Sequence, residues 1–133
     1  MSSAGESSRQ SARKDAHRSG HLAEFAAQLL LLCKGYRVLA RRWSIGAGTG
    51  AGEIDLIARR GRTLVFVEVK SRADPAAADD SIRPEQRRRI VRAAEAFIAK
   101  RPGLGGLDVR FDAILVVPGR WPRHFPDAWR ADE

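Results

Sequence analysis

The 133-residue chain holds one cysteine, Cys33, which excludes an intramolecular disulfide and any zinc site built from several thiolates. Its apolar runs, Leu29 to Cys33 among them, are far too short to span a bilayer. The first twenty residues carry serines and charges but no apolar stretch of the kind a secretory signal needs. The glycine-rich segment Gly46 to Gly52 lacks the G-x-G-x-x-G spacing of a phosphate-cradling turn. No internal repeat is visible. These absences point to a soluble, cytoplasmic protein with no membrane partner, in which Cys33 is expected to be a small core side chain on a helix.

What the chain has in excess is positive charge. Lysine and arginine total 24 against 16 acidic residues, for a net charge of +8. Such a surface favours an anionic partner, nucleic acid above all, although solubility alone is also served by it. With 44% apolar residues the length suits one core. Residues 1–19 are too poor in large apolar side chains to repay the entropy of ordering and are expected to form a polar, disordered tail. Residues 20–133 are expected to form a single α/β domain.

Helical spacing of Leu22, Phe25, Ala26, Leu29, Leu32 and Cys33 predicts a helix over about residues 20–34 that buries this stripe, with Gly35 ending it in a left-handed conformation. Tyr36 to Trp43 reads as a strand, and Gly46 to Gly52 as a mobile loop. Two apolar runs, Ile54 to Ala58 and Leu64 to Lys70, flank Gly61 and read as a hairpin. The second is apolar on both faces, as a central strand covered on both sides would be. Arg72 to Asp80 reads as an exposed loop. Pro84 opens a second helix whose inner face carries Ile90, Ala93, Ala94, Phe97 and Ile98. Leu107 to Val117 reads as the last strand, and the segment from Pro118, with its prolines and tryptophans, as a tail.

Chemistry concentrates on the hairpin. If its loop is the two-residue Gly61-Arg62, pairing runs from Arg60 with Thr63 to Asp55 opposite Glu68, and Lys70 shares their face. An odd loop would separate the carboxylates. Directly opposed carboxylates about 5 Å apart repel by roughly 3 kcal/mol at an effective dielectric of 20. Lys70 offsets part of this, and a hard divalent cation suits the rest. A metal lowers the pKa of bound water and neutralises phosphate oxygens, while a lysine orients or deprotonates the attacking water. The chemistry implied is phosphodiester hydrolysis. A solvated salt-bridged hairpin is the plain alternative, but charges set among Leu64, Val65, Phe66 and Val67 call for pairing or a function.

The segments Gly52-Glu53-Ile54-Asp55-Leu56-Ile57, Leu64-Val65-Phe66-Val67-Glu68-Val69-Lys70 and Arg110-Phe111-Asp112 resemble the YraN-like family of uncharacterised bacterial proteins. That family in turn resembles the PD-(D/E)xK nuclease superfamily, which includes archaeal Holliday junction resolvases. The resemblance implies a restriction-endonuclease-like α/β core: helix, three-stranded meander, helix, strand, in a mixed sheet of four to five strands. It also implies Asp55 and Glu68 as ligands of Mg2+ or Mn2+, Lys70 as the catalytic lysine, and Glu24 on the first helix as a further carboxylate. Gln86, in the first turn of the second helix, corresponds to a polar site position in the superfamily. Resolvase-like relatives act as dimers, which leaves a homodimer open here. No proline precedes Asp55, Glu85 and Gln86 stand where a lysine is usual, and the Arg72 to Asp80 loop replaces the usual phenylalanine-glycine segment.

The second helix carries seven basic residues, with Arg83, Arg87, Arg88 and Arg92 offered to phosphates, against Glu85 and Glu95. A solvated face would look the same. Arg110 and Asp112 read as a buried ion pair holding the sheet, and His124 as a packing residue. The expected function is a metal-dependent endonuclease acting on DNA, branched DNA included. The alternative is a non-catalytic protein of the same fold that binds DNA or RNA.

Overall fold

The computed structural model describes residues 21–46, 52–72 and 82–131. The tail read over residues 1–19, and most of the two loops read at Gly46 to Gly52 and Arg72 to Asp80, lie outside them. Helix α1 covers residues 21–33. The strands are β1 (Arg37–Trp43), β2 (Ile54–Arg60), β3 (Thr63–Ser71), β4 (Asp108–Val116) and β5 (Arg123–Trp129), and helix α2 (Pro84–Ala99) lies between β3 and β4. The sheet order is β1-β2-β3-β4-β5. β3 and β4 run parallel, the other neighbours antiparallel, because only β3 and β4 are joined through a crossover helix.

β3 is the middle strand, buried on both faces as its valine-rich run requires. One face packs Leu64, Phe66 and Phe111 under Ile90, Ala93 and Phe97 of α2. The other packs Val65, Val67 and Ile114 under Ala27, Leu30 and Leu31 of α1. The result is a mixed five-stranded sheet between two helices, the restriction-endonuclease-like α/β arrangement. α2 starts at Pro84, whose missing N–H costs nothing there. α1 ends in a Schellman turn: Gly35 takes φ +88°, and the N–H groups of Gly35 and Tyr36 donate to Leu32 and Leu31. No helix among the described residues is long and apolar enough to cross a membrane.

Three expectations are corrected. α1 buries Ala23, Ala27, Leu30 and Leu31, while Leu22, Phe25, Leu29 and Leu32 are exposed. The helix is apolar on two sides, and the flatter, small-residue side is the one that lets its backbone approach the sheet. Cys33 is consequently exposed and not a core side chain. The segment after Pro118 is not a tail without structure but supplies β5, an edge strand where Pro126 needs no ladder partner. β5 carries a bulge opposite Phe111 to Ala113, with Asp127 at φ +53°.

Candidate metal and nucleic-acid site

The hairpin turn is the two-residue Gly61-Arg62 connection: Arg60 pairs with Thr63 and the ladder continues to Leu56 opposite Val67. Gly61 takes φ +60° in the first loop position, where a left-handed residue matches the strand twist. The ladder ends there, and the next residue, Asp55, meets β3 through its side chain. Here Asp55 Oδ2 accepts the backbone N–H of Val69 at 2.7 Å, and the carboxyls of Asp55 and Glu68 are in hydrogen-bonding contact. Lys70 Nζ lies 3.5 Å from Glu68 Oε1. The structure thus brings Asp55, Glu68 and Lys70 together on the face of the sheet toward α2.

Burial pushes the Glu68 carboxyl up to about 8, the neighbouring Asp55 charge adds to this, and Lys70 opposes it. Asp55 is also raised, by burial first, against the Val69 N–H and a hydrogen bond from Glu68; the charges of Glu24 and Glu53 add to the rise. Two desolvated carboxyls in contact hold a proton between them until something better replaces it. Both offer hard oxygen donors, and Mg2+ is commonly held by one or two carboxylates plus water and phosphate. The donor set fits such an ion.

Glu24 is half-buried on α1 and its charge acts on Asp55, yet both its oxygens are engaged by Arg42 Nε at 2.8 and 3.1 Å. Arg42, at φ +48° on β1, also contacts His21. The sequence does not single it out, since Arg41 and Arg42 look alike there and only the left-handed backbone at Arg42 distinguishes them. Gln86 is half-buried in the first turn of α2 and makes no hydrogen bond to either carboxyl among the described residues. Arg83, Arg88 and Arg92 are exposed, whereas Arg87 is half-buried and donates to the Ile82 carbonyl at 2.8 Å.

Beyond the site, Asp112 is fully buried and takes both Nε and Nη2 of Arg110 at 2.8 Å, His124 Nε2 at 2.7 Å and the Asp127 N–H at 3.0 Å. Arg110 Nη2 also reaches the Tyr36 hydroxyl at 2.6 Å. Burial alone would raise the Asp112 carboxyl, but Arg110, His124 and the Asp127 N–H outweigh it and hold it down at about 2. The β5 bulge aims the Asp127 N–H inward, and His124, read from the sequence as a packing residue, is a hydrogen-bonded member of this network, with Lys34 at its other ring nitrogen. Arg110 and Asp112 form the ion pair that ties β4 and β5 to Tyr36, in the turn between α1 and β1.

Among solved structures, the chain superposes on Archaeoglobus fulgidus Hjc, a Holliday junction resolvase from an archaeal hyperthermophile, with a TM-score of 0.53 and 21% identity over 80% of this chain and 75% of that one. This likeness is one of fold. In sequence, the chain is 55% identical over 121 residues to a UPF0102 protein of Paramagnetospirillum magneticum, covering 91% of this chain and 94% of the relative. It is 53% identical over 115 residues to one of Parvibaculum lavamentivorans, covering 86% and 84%. The model of the uncharacterised protein family UPF0102 matches residues 23–116. The chain therefore belongs to the UPF0102 family, the YraN-like group that its strand motifs resemble.

Proposed function

We infer that the protein is a metal-dependent endonuclease that hydrolyses phosphodiester bonds in DNA. The observation that carries this reading is the close approach of two acids, the buried Glu68 and the half-buried Asp55, with Lys70 beside them. A sheet interior would not keep that arrangement for stability, since two well-packed apolar residues would cost less. Asp55 and Glu68 would hold Mg2+ or Mn2+. Such an ion, when bound, supplies charge neutralisation on the scissile phosphate and a water of lowered pKa. Asp55 is fixed for this by the Val69 N–H. Lys70, a half-buried ammonium, orients the attacking water and faces the phosphate charge. Glu24, held by Arg42, sets the electrostatics of Asp55 from α1 rather than adding a free ligand.

DNA rather than a small phosphoester is supported by the +8 charge and by the arginines of α2, whose first turn stands beside Lys70 through Arg87. The fold it shares with a Holliday junction resolvase makes branched DNA the first substrate to try. Purified protein with Mg2+ or Mn2+ is expected to nick branched, flapped or duplex DNA. Asp55→Asn and Glu68→Gln should each lower cleavage by at least about a hundredfold while leaving DNA binding within a few-fold, as loss of a charge at a metal centre does. Equal cleavage by both variants and wild type would refute the assignment. A protein that binds DNA through the α2 arginines without turnover is the second reading, favoured if no divalent ion elicits cleavage and binding stays strong.

A further inference from the structure

Beside the carboxyl site, and sharing Lys70 and Arg87 with it, lies a cavity of about 310 Å³ walled also by Ile82, Ala113, Phe125 and Trp129 among others. Its origin is legible in the register. Glu68 pairs with Ala113, and Ala113 pairs with Phe125, so one row across three strands runs acid, methyl, phenyl on a single face. The next row runs Lys70, Leu115, Arg123. Ala113 is the small member that leaves the gap open. Phe125 thus stands two strand spacings, about 10 Å, from Glu68. Its ring is exposed, with the Arg123 guanidinium 5.4 Å from its centroid. Trp129, stacked on Phe111, carries a buried indole Nε1 with no hydrogen-bond partner among the described residues.

The chemistry of the wall is selective. Both of its charged residues, Lys70 and Arg87, are cations, while the remaining lining is apolar or aromatic. A ligand that complements it has a flat apolar body and an anionic end, and its volume sits at the lower limit of about 300–1,000 Å³ for ligand pockets. One nucleotide meets this description; a stretch of stacked duplex does not, because its bases present only edges. We propose that this cavity takes a single unpaired base of a DNA strand, seated against Phe125, with the adjoining phosphate directed toward Lys70, Arg87 and the Asp55–Glu68 pair. This rests on the nuclease reading for the identity of the phosphate but not for the binding itself. Seating a base costs least where it is already unpaired, so the substrate class is DNA with an extrahelical or single-stranded nucleotide at the point of cleavage.

The test is equilibrium binding without divalent ions, using two labelled duplexes that are identical except for one extra unpaired nucleotide. Stacking of a base on an aromatic side chain is worth roughly 5- to 150-fold in affinity. Wild type is expected to prefer the bulged duplex by about fivefold or more. Ala113→Phe, which fills the gap, and Phe125→Ala, which removes the platform, should each bring the ratio near one while leaving affinity for the paired duplex unchanged. A fluorescent 2-aminopurine at the unpaired position should change signal on binding to wild type and not to Ala113→Phe. A wild-type ratio of one overturns the proposal. So does an unchanged ratio in a well-folded Ala113→Phe protein of raised melting temperature, which would mark the cavity as a packing gap. If the preference holds and no metal elicits cleavage, the nuclease reading fails alone; if cleavage occurs without the preference, the pocket fails alone.

Discussion

At the scale of single residues, Glu68 makes the protein's stability depend on pH in an unusual direction. Below the ordinary carboxyl value of 4.5 both folded and unfolded chains hold its proton; above it the unfolded chain releases the proton while the folded chain keeps it to about 8. The native state binds more protons in that window, so its stability falls as pH rises from about 4.5 to 8. Asp55, also raised, adds in the same sense. Chemical denaturation in chelator should therefore show metal-free protein losing a few kcal/mol across that range, and Glu68→Gln should flatten the slope. Divalent ion should restore stability at pH 8, and its uptake, measured by calorimetry in buffers of different ionisation heat, should release protons below pH 8. A flat profile in wild type would refute the buried pair. Asp112 behaves oppositely: its stabilisation is present above 3.8 and lost as pH falls through about 2. Asp112→Asn removes the buried charge that half-buried Arg110 and His124 bind and should cost about 3 kcal/mol at neutral pH, seen as a fall in melting temperature on the order of 10 °C.

At the scale of elements, hairpin parity was readable because Gly61 leaves few turn choices, and that parity carried the Asp55 and Glu68 placement with it. β3 was readable as central from its two apolar faces, and α2 from Pro84 and its Ile90 to Phe97 stripe. The buried side of α1 is not legible because leucines occur all round it, and hydrophobic size does not say which side the sheet accepts. Ala23 and Ala27 sit in the interface, where small side chains allow close approach. Leu31→Ala should consequently cost about 2–5 kcal/mol, and Leu32→Ala, on the exposed side, no more than about 0.5 kcal/mol. Equal losses in thermal denaturation would return α1 to the orientation its larger residues suggest. β5 is hidden because Pro126 and the bulge erase alternation, and it pairs through β4 alone, close in sequence but irregular in register. Arg42 and the Ala113 gap were invisible for a related reason: each is a product of register and backbone reversal, not of composition.

At the scale of the whole molecule, the layers place the carboxyl pair, the start of α2 and the exposed arginines on connected ground. Arg87 and Lys70 wall one cavity, so on the proposed reading DNA held along α2 would pass the site without a separate docking element. Not every arginine on that helix contributes equally. Arg87 is tied to the Ile82 carbonyl, and Arg89 is paired with Glu85 at 2.9 Å. Arg88 and Arg92 present exposed side chains on the helix, Arg92 with an interaction of its own. If they neutralise phosphates, each displaces condensed counterions, and the dependence of log affinity on log salt loses close to one unit of slope per contact removed. The double variant Arg88→Ala with Arg92→Ala should therefore bind paired and bulged duplexes more weakly by the same factor, with a salt slope shallower by about two. Its stability should stay within about 0.5 kcal/mol of wild type, since neither residue is buried. The ratio between bulged and paired DNA should not move, because that ratio belongs to the Phe125 cavity and not to the phosphate-binding face. A slope identical to wild type in fluorescence anisotropy titrations between 50 and 200 mM salt, about the range over which such contacts are felt, would take the DNA off α2 and leave the +8 charge to serve solubility alone.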